Sequence, residues 1–365
     1  MTNAENLPPE GALSEPKASK IWTDIDFTAD GKQCGYFRLP ISPHESAYGW
    51  IPIPVAVVRN KSGPRVLLIS GNHGDEWEGQ IVLMNFLRQV RHSDVRGTII
   101  ILPAANAPAV EAGRRVSPLD EGNLNRCFPG KPDGTPTWAI AHFIETSLLP
   151  GTDLVCDFHS GGSSLEYLHS TVIVRPHEEH KLEYLLSLAY QLGLPVGFIT
   201  DAPTTGDQGL SGACERAGGI PYLSTELGGA GTVDLQALRA AEVGLLRLLG
   251  HVGALSRDQE FARTQKVRLL SRHPARDYVY SPAAGVFEPH VGLGERVQAG
   301  QVAGVIHCTE APWREPHVVH FQRNGYVLCR RVPARTKIGD CLFNTADELP
   351  DSTAEQLLTD TGVLA

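Results

Sequence analysis

Two runs in this chain, "RVLLIS" at 65–70 and "GTIIIL" at 97–102, are apolar through their centres, and a third, "LVCDF" at 154–158, carries a single acid. A strand exposed on one face alternates apolar and polar residues, whereas a strand covered on both faces does not need to. These runs therefore require a layer on either side. The stretches between them supply it: "EWEGQIVLMNFLRQVR", "TWAIAHFIETSLL", "HEEHKLEYLLSLAYQLG" and "DLQALRAAEVGLLRLLGHVG" carry apolar residues at helical spacing. Further strands are read at "WIPIPVAVVRN", "STVIVRP", "PVGFIT" and "IPYLSTELGG". The expected fold class is α/β, a mixed and largely parallel sheet flanked by helices.

The character changes after about residue 260. From Asp277 to Phe343 the helical period vanishes and short β-like runs alternate with glycines. A chain of 365 residues also exceeds what one compact core usually holds. The expected organisation is a disordered leader at 1–20, a main domain at 21–260, a small all-β domain at 261–345 and an acidic tail at 346–365. That tail holds Asp347, Glu348, Asp351, Glu355 and Asp360 without a base.

A net charge of -9 with no cluster of Lys or Arg argues against nucleic acid or an anionic membrane as partner. The apolar runs are far shorter than a membrane span. The seven cysteines are scattered and never form C-x-x-C, as expected of reduced thiols in a cytoplasmic protein. The first residues, "MTNAENLPPEGALSEPKASK", lack the basic start and apolar run of a secretory signal. Whether the chain forms a homo-oligomer is left open.

In open α/β sheets, chemistry-bearing groups gather where strands end at their carboxyl edge. "LLISGNHGDEWEGQ" places His73 and Glu76 at such an end, three residues apart on a turn entering a helix, so both can face one ion. Taken alone, a solvated histidine beside acids that favour a helix dipole explains the pattern equally well. "LVCDFHSGG" then delivers His159 at a second strand end, with Asp157 able to orient an imidazole or simply to pair in the core. Two histidines and a carboxylate are the ligands that hydrolytic zinc commonly takes, leaving one position for water. "YLSTELGG" ends in Glu226, a carboxylate fit to act as general base and then general acid. The polar loop "RRVSPLDEGNLNRCFPG" offers Asn125 and Arg126 to a carboxylate and Arg115 to an oxyanion, although loop arginines are most often just solvated.

The order "GNHGDE", "NLNR", "DFHSGG" and "TELGG" resembles the zinc carboxypeptidase superfamily, and within it the succinylglutamate desuccinylase and aspartoacylase branch, from Ile51 to the end of the β-domain. "SAYGWIPIPVAVV", "NLNRCFPGKPDGT" and "DFHSGG" are similar to the N-alpha-acetyl-diaminobutyrate deacetylases of ectoine breakdown. The resemblance implies that 21–260 is a zinc hydrolase catalytic domain, with one zinc ion per chain held by His73, Glu76 and His159. It further implies Glu226 as base and acid, Asn125 and Arg126 as holders of a substrate carboxylate, and a β-domain that covers part of the cleft. Arg114 and Arg115 both remain candidates to polarise the carbonyl, with Arg115 preferred. The implied reaction is hydrolysis of a small N-acyl amino acid, N-alpha-acetyl-L-2,4-diaminobutyrate to acetate and L-2,4-diaminobutyrate. A basic side chain on the substrate would need an acidic partner, for which Asp75, Asp120 and Glu121 stand near the strand ends.

Succinylglutamate desuccinylase or aspartoacylase activity is the alternative, and peptide carboxypeptidase activity a more distant one. A carrier module is a reading from another class. "GVFEPHVGLGERVQAGQVAGVIH" resembles half of a biotinyl or lipoyl domain, but the following "CTEAPWREP" contains no lysine to carry a cofactor.

Overall fold

The computed structural model describes residues 18–176, 178–200, 206–256, 267–273 and 276–349. Residues 1–17 of the expected leader, the boundary expected at 260/261 and the tail beyond residue 349 lie outside the described residues.

A long antiparallel hairpin begins the sheet. Strands β1 (Gly31–Ile41) and β2 (Gly49–Asn60) pair from Gly31 opposite Arg59 to Ile41 opposite Gly49. Strand β3 (Arg65–Ser70) leads into helix α1 (Trp77–Gln89), and β4 (Gly97–Leu102) into the short α2 (Ala107–Ala112). Helix α3 (Pro136–Phe143) precedes β5 (Leu154–His159), which is followed by β6 (Leu165–Tyr167) and β7 (Ser170–Val174). Then come α4 (Glu179–Leu192), β8 (Val196–Thr200), α5 (Leu210–Arg216), β9 (Tyr222–Glu226), α6 (Leu235–His251) and β10 (Arg268–Arg272). The strands lie in the order β1-β2-β4-β3-β5-β9-β7-β8-β10, with β3 parallel to β4 and β5, and β5 parallel to β9.

The apolar runs behave as their composition requires. Along β3, Val66 and Leu68 join a core with Val82 and Phe86 of α1 and Leu245 and Leu248 of α6. Their neighbours Leu67 and Ile69 point the other way, into a second core with Ile140 and Phe143 of α3. Successive strand residues alternate faces, so a strand with a core on each side is apolar throughout.

The β-rich C-terminal part divides between two sheets. Its strands are β11 (Tyr278–Tyr280), β12 (Gly285–Pro289), β13 (Arg296–Val297), β14 (Val302–His307), β15 (His317–His320), β16 (Gly325–Arg331), β17 (Arg335–Thr336) and β18 (Cys341–Glu348). β18, β16 and β13 continue the large sheet beyond β10, while β15-β14-β12-β17 form a separate antiparallel sheet. Phe198 of β8, Leu270 of β10, Leu328 of β16 and Ala346 of β18 share one buried cluster across the continuation. Strand β18 runs through Glu348, pairing Leu270 with Glu348 and Ser271 with Asp347, so the stretch expected as a tail from residue 346 begins as strand.

One glycine fixes the approach to the carboxyl edge. A Cβ on Gly74 would stand 1.9 Å from the carbonyl oxygen of Ala109, and the Gly74 amide donates to the Arg114 carbonyl at 2.8 Å. The turn after β3 thus lies directly against α2 and the loop that follows it.

Candidate active site

Four of the sequence-read residues meet at the carboxyl edge of β3, β5 and β9. His73 and Glu76 come from the turn between β3 and α1, while His159 ends β5 and Glu226 ends β9, in register with one another. His73, Glu76 and His159 are buried, and their possible ligand atoms all lie within 4.8 Å of one another. Glu76 bridges the histidines, with Oε1 2.6 Å from His73 Nδ1 and Oε2 2.7 Å from His159 Nδ1.

The outer nitrogens of both rings have their own partners. His73 Nε2 faces the Asn123 side-chain oxygen at 3.1 Å, and His159 Nε2 faces Asp157 at 2.8 Å. With a proton on each Nε2, both Nδ1 lone pairs point toward Glu76, the tautomers a ligand pair requires. Burial resists ionisation of Glu76, yet the two imidazoles hold it well below the usual carboxylate range. Burial, reinforced by the nearby Arg115, lowers the pKa of His73 despite the pull of Glu76, whereas Asp157 and Glu76 overcome burial to favour the charged form of His159. Two buried imidazoles and a shared carboxylate therefore provide the donor set, and the local negative field, that a divalent cation needs.

Asp157 is itself held firmly. It is fully buried, accepts from both Asn72 Nδ2, at 2.8 and 3.0 Å to its two oxygens, and Tyr222 Oη, at 2.8 Å. Of the two readings available from sequence, the imidazole-orienting position is the one it occupies. Asn123, Asn72 and Tyr222 were missed in the sequence. Tyr222 had a signal, because it shares the strand face of Ser224 and Glu226, and all three line the cavity.

Glu226 stands apart from the imidazole contacts. Its Oε2 is buried without a hydrogen-bond partner, and burial together with the charge of Glu76 pushes its pKa up to about 8. A carboxyl group in that range is suited to taking up and returning a proton near neutral pH.

A cavity of 340 Å³ opens over these groups and crosses the sheet from His159 on β5, past Glu226 on β9, Val172 on β7 and Phe198 on β8, to Arg272 on β10. The loop at 114–130 closes one side. Arg115 lines the cavity with Nη1 3.6 Å from Glu76, whereas Arg114 turns outward to Glu121 at 3.2 Å. Arg126 also lines it, its Nη1 donating to the Asn125 carbonyl at 2.9 Å. The Asn125 side chain accepts from Leu210 at the start of α5 at 2.9 Å, and its Nδ2 lies 3.4 Å from His159 Nε2.

The acids expected as partners for a basic substrate group are engaged elsewhere. Asp75 accepts from Ser163, Asp120 caps α3 through Thr137, and Glu121 faces Arg114. None of them lines the cavity. Their positions near strand ends were legible, but their hydrogen-bond duties in the surrounding loops were not.

Fold and site together define an α/β protein with a hydrolase-like donor set at its carboxyl edge. The chain belongs to the succinylglutamate desuccinylase/aspartoacylase family, whose catalytic-domain model matches residues 62–252. It is 38% identical to the N-alpha-acetyl-L-2,4-diaminobutyric acid deacetylase of Halomonas elongata over 336 residues, 91% of this chain and 96% of that protein. Among solved structures, the product-bound ectoine utilization protein EutE (DoeB) from Ruegeria pomeroyi superposes with a TM-score of 0.86 at 32% identity, covering 91% of this chain and 99% of that one. A succinylglutamate desuccinylase/aspartoacylase from Rhodobacter sphaeroides gives 0.85 at 36% identity, covering 91% and 100%. The expected family and fold class are borne out.

Proposed function

We propose that this protein hydrolyses the amide bond of a small N-acyl amino acid, N-alpha-acetyl-L-2,4-diaminobutyrate, giving acetate and L-2,4-diaminobutyrate as a step of ectoine breakdown in the cytoplasm. The observation that carries the reading is the similarity to the Halomonas elongata deacetylase along 91% of the chain. The cavity chemistry supports it. Among the described residues no helix is long and apolar enough to cross a membrane.

His73, Glu76 and His159 would hold one zinc ion, and their donor set fits it. Zinc bound there would supply Lewis-acid polarisation of the amide carbonyl and activation of water. Glu226 accepts the proton of the attacking water as its oxygen bonds to the carbonyl carbon. It then returns that proton to the amide nitrogen as the C–N bond breaks, so one carboxyl group serves both halves of the reaction. Arg115 stabilises the charge that develops on the carbonyl oxygen, and Asn125 and Arg126 hold the α-carboxylate of the amino acid. His73 and His159 keep their orientation through Asn123 and Asp157.

Proton NMR of the purified protein with N-alpha-acetyl-L-2,4-diaminobutyrate is expected to show acetate and diaminobutyrate appearing in equal amounts, with turnover stopped by a chelator and restored by zinc. Absence of acetate from the zinc-supplemented protein would contradict the proposal.

A further inference from the structure

The cavity ends, four strands from His159, at a guanidinium that pairs with no carboxylate among the described residues. Arg272, the last residue of β10, is 5% exposed and makes no ion pair among the described residues. Its Nη1 reaches Tyr278 Oη at 3.4 Å, its Nη2 reaches Thr200 Oγ1 at 3.3 Å, and its plane lies 5.0 Å from the Phe198 ring centroid. Nε has no hydrogen-bond partner among the described residues. Both contacts are longer than the roughly 2.7–2.9 Å of a charge-assisted bond. A buried cation held only by long bonds to neutral groups is costly unless an anion joins it.

Two further observations give that anion a place. Tyr278 lies within electrostatic reach of Arg126 as well, and Arg126, Arg272 and Tyr278 line the same cavity. Burial keeps that phenol protonated, its pKa pushed up to about 12. Arg272 also lies within electrostatic reach of Glu226. An N-acyl amino acid carries its α-carboxylate two bonds beyond the scissile nitrogen, so the groups that hold it must stand close to the base. The cavity presents three guanidiniums, Arg115, Arg126 and Arg272, against the carboxylates of Glu76 and Glu226. Arg115 lies beside Glu76, which leaves Arg126 and Arg272 for the substrate.

We propose that Arg272 is a specificity-determining residue that receives the substrate α-carboxylate jointly with Arg126. This rests on the deacylase reading given above and extends it by a residue supplied from the strand next to the β-rich part. The same cation repels an ammonium group, so a basic substrate side chain is turned away from β10. Recognition of the acid therefore depends on both ends of the cavity.

The test compares N-alpha-acetyl-L-2,4-diaminobutyrate with its α-carboxamide in the parent, Arg272→Met and Arg272→Lys proteins. Arg272→Met is expected to raise KM for the acid about 30-fold, with kcat within about threefold and the carboxamide changed by less than about threefold. Arg272→Lys is expected to recover part of the loss, because it restores the charge without the planar fork. Equal losses on acid and carboxamide would mean a merely structural role, and an unchanged KM for the acid would mean no role; either overturns the proposal. Calorimetry with L-2-aminobutyrate and L-2-aminobutyramide provides a readout independent of turnover. The parent is expected to prefer the acid, Arg272→Met to lose most of that preference and Arg272→Lys to keep part of it; a preference undiminished in Arg272→Met overturns the proposal. If the parent fails to hydrolyse the acetylated compound, the deacylase reading falls, and the calorimetric comparison still decides Arg272.

Discussion

Glu226→Gln is expected to lower kcat by about 10²- to 10⁴-fold while the bound metal stays at the parent level. The two halves of that expectation have separate causes. Among the described residues the Glu226 side chain forms no hydrogen bond with His73, Glu76 or His159, so its replacement leaves the donor set intact. Its buried Oε2, however, has no hydrogen-bond partner among the described residues, and Gln cannot accept and release the proton that the reaction moves. KM is expected to change little, because the base acts in the transition state and not in holding the substrate. A variant that turns over within about threefold of the parent would remove Glu226 from the role of base.

His159→Ala is expected to lose both metal and activity, with metal content after gel filtration below about a tenth of an ion per chain. The variant deletes one of two imidazoles facing Glu76 and also frees Asp157, which loses its 2.8 Å partner and keeps only Asn72 and Tyr222. Two donors remain, too few to hold a cation against dialysis. Elemental analysis of the purified variant checks this. Near-stoichiometric zinc with full activity would contradict the assignment of His73, Glu76 and His159.

These residues were legible because chemistry at the edge of an α/β sheet follows from strand position. "LLIS", "LVCDF" and "YLSTE" are recognisable strands, and the polar residue after or at the end of each is delivered to one edge once the strands are parallel. The choice between Arg114 and Arg115 was not legible, since adjacent loop residues differ only in where the backbone turns. In the structure the Arg114 carbonyl accepts from the Gly74 amide and its side chain faces Glu121, while Arg115 lines the cavity beside Glu76, a placement that favours Arg115.

The continuation of the sheet was hidden for a different reason. β10 pairs with β8 although Arg268 lies opposite Val196, across a separation in sequence that no local periodicity reports. The run "VRLLSR" falls inside the β-domain expected at 261–345, and no local pattern singles out Arg272 within it. β1 was likewise unread: its alternating polar residues and Pro40 give a weak signal, and its pairing with β2 along eleven positions is what organises it. Asn123 was overshadowed by Asn125 in "NLNR", because the contact that distinguishes them, to the outer nitrogen of His73, is tertiary.

The central claim concerns which amide the cavity accepts, and the ratio of kcat/KM for N-alpha-acetyl-L-2,4-diaminobutyrate to that for N-acetylaspartate and N-succinylglutamate tests it most directly. The account predicts that the diaminobutyrate compound is preferred over both, with one α-carboxylate held by Arg126 and Arg272 and the basic side chain directed elsewhere. A preference for either dicarboxylic compound by more than about tenfold, roughly 1.4 kcal/mol in transition-state binding, would contradict it and show that the cavity carries the specificity of a desuccinylase or aspartoacylase.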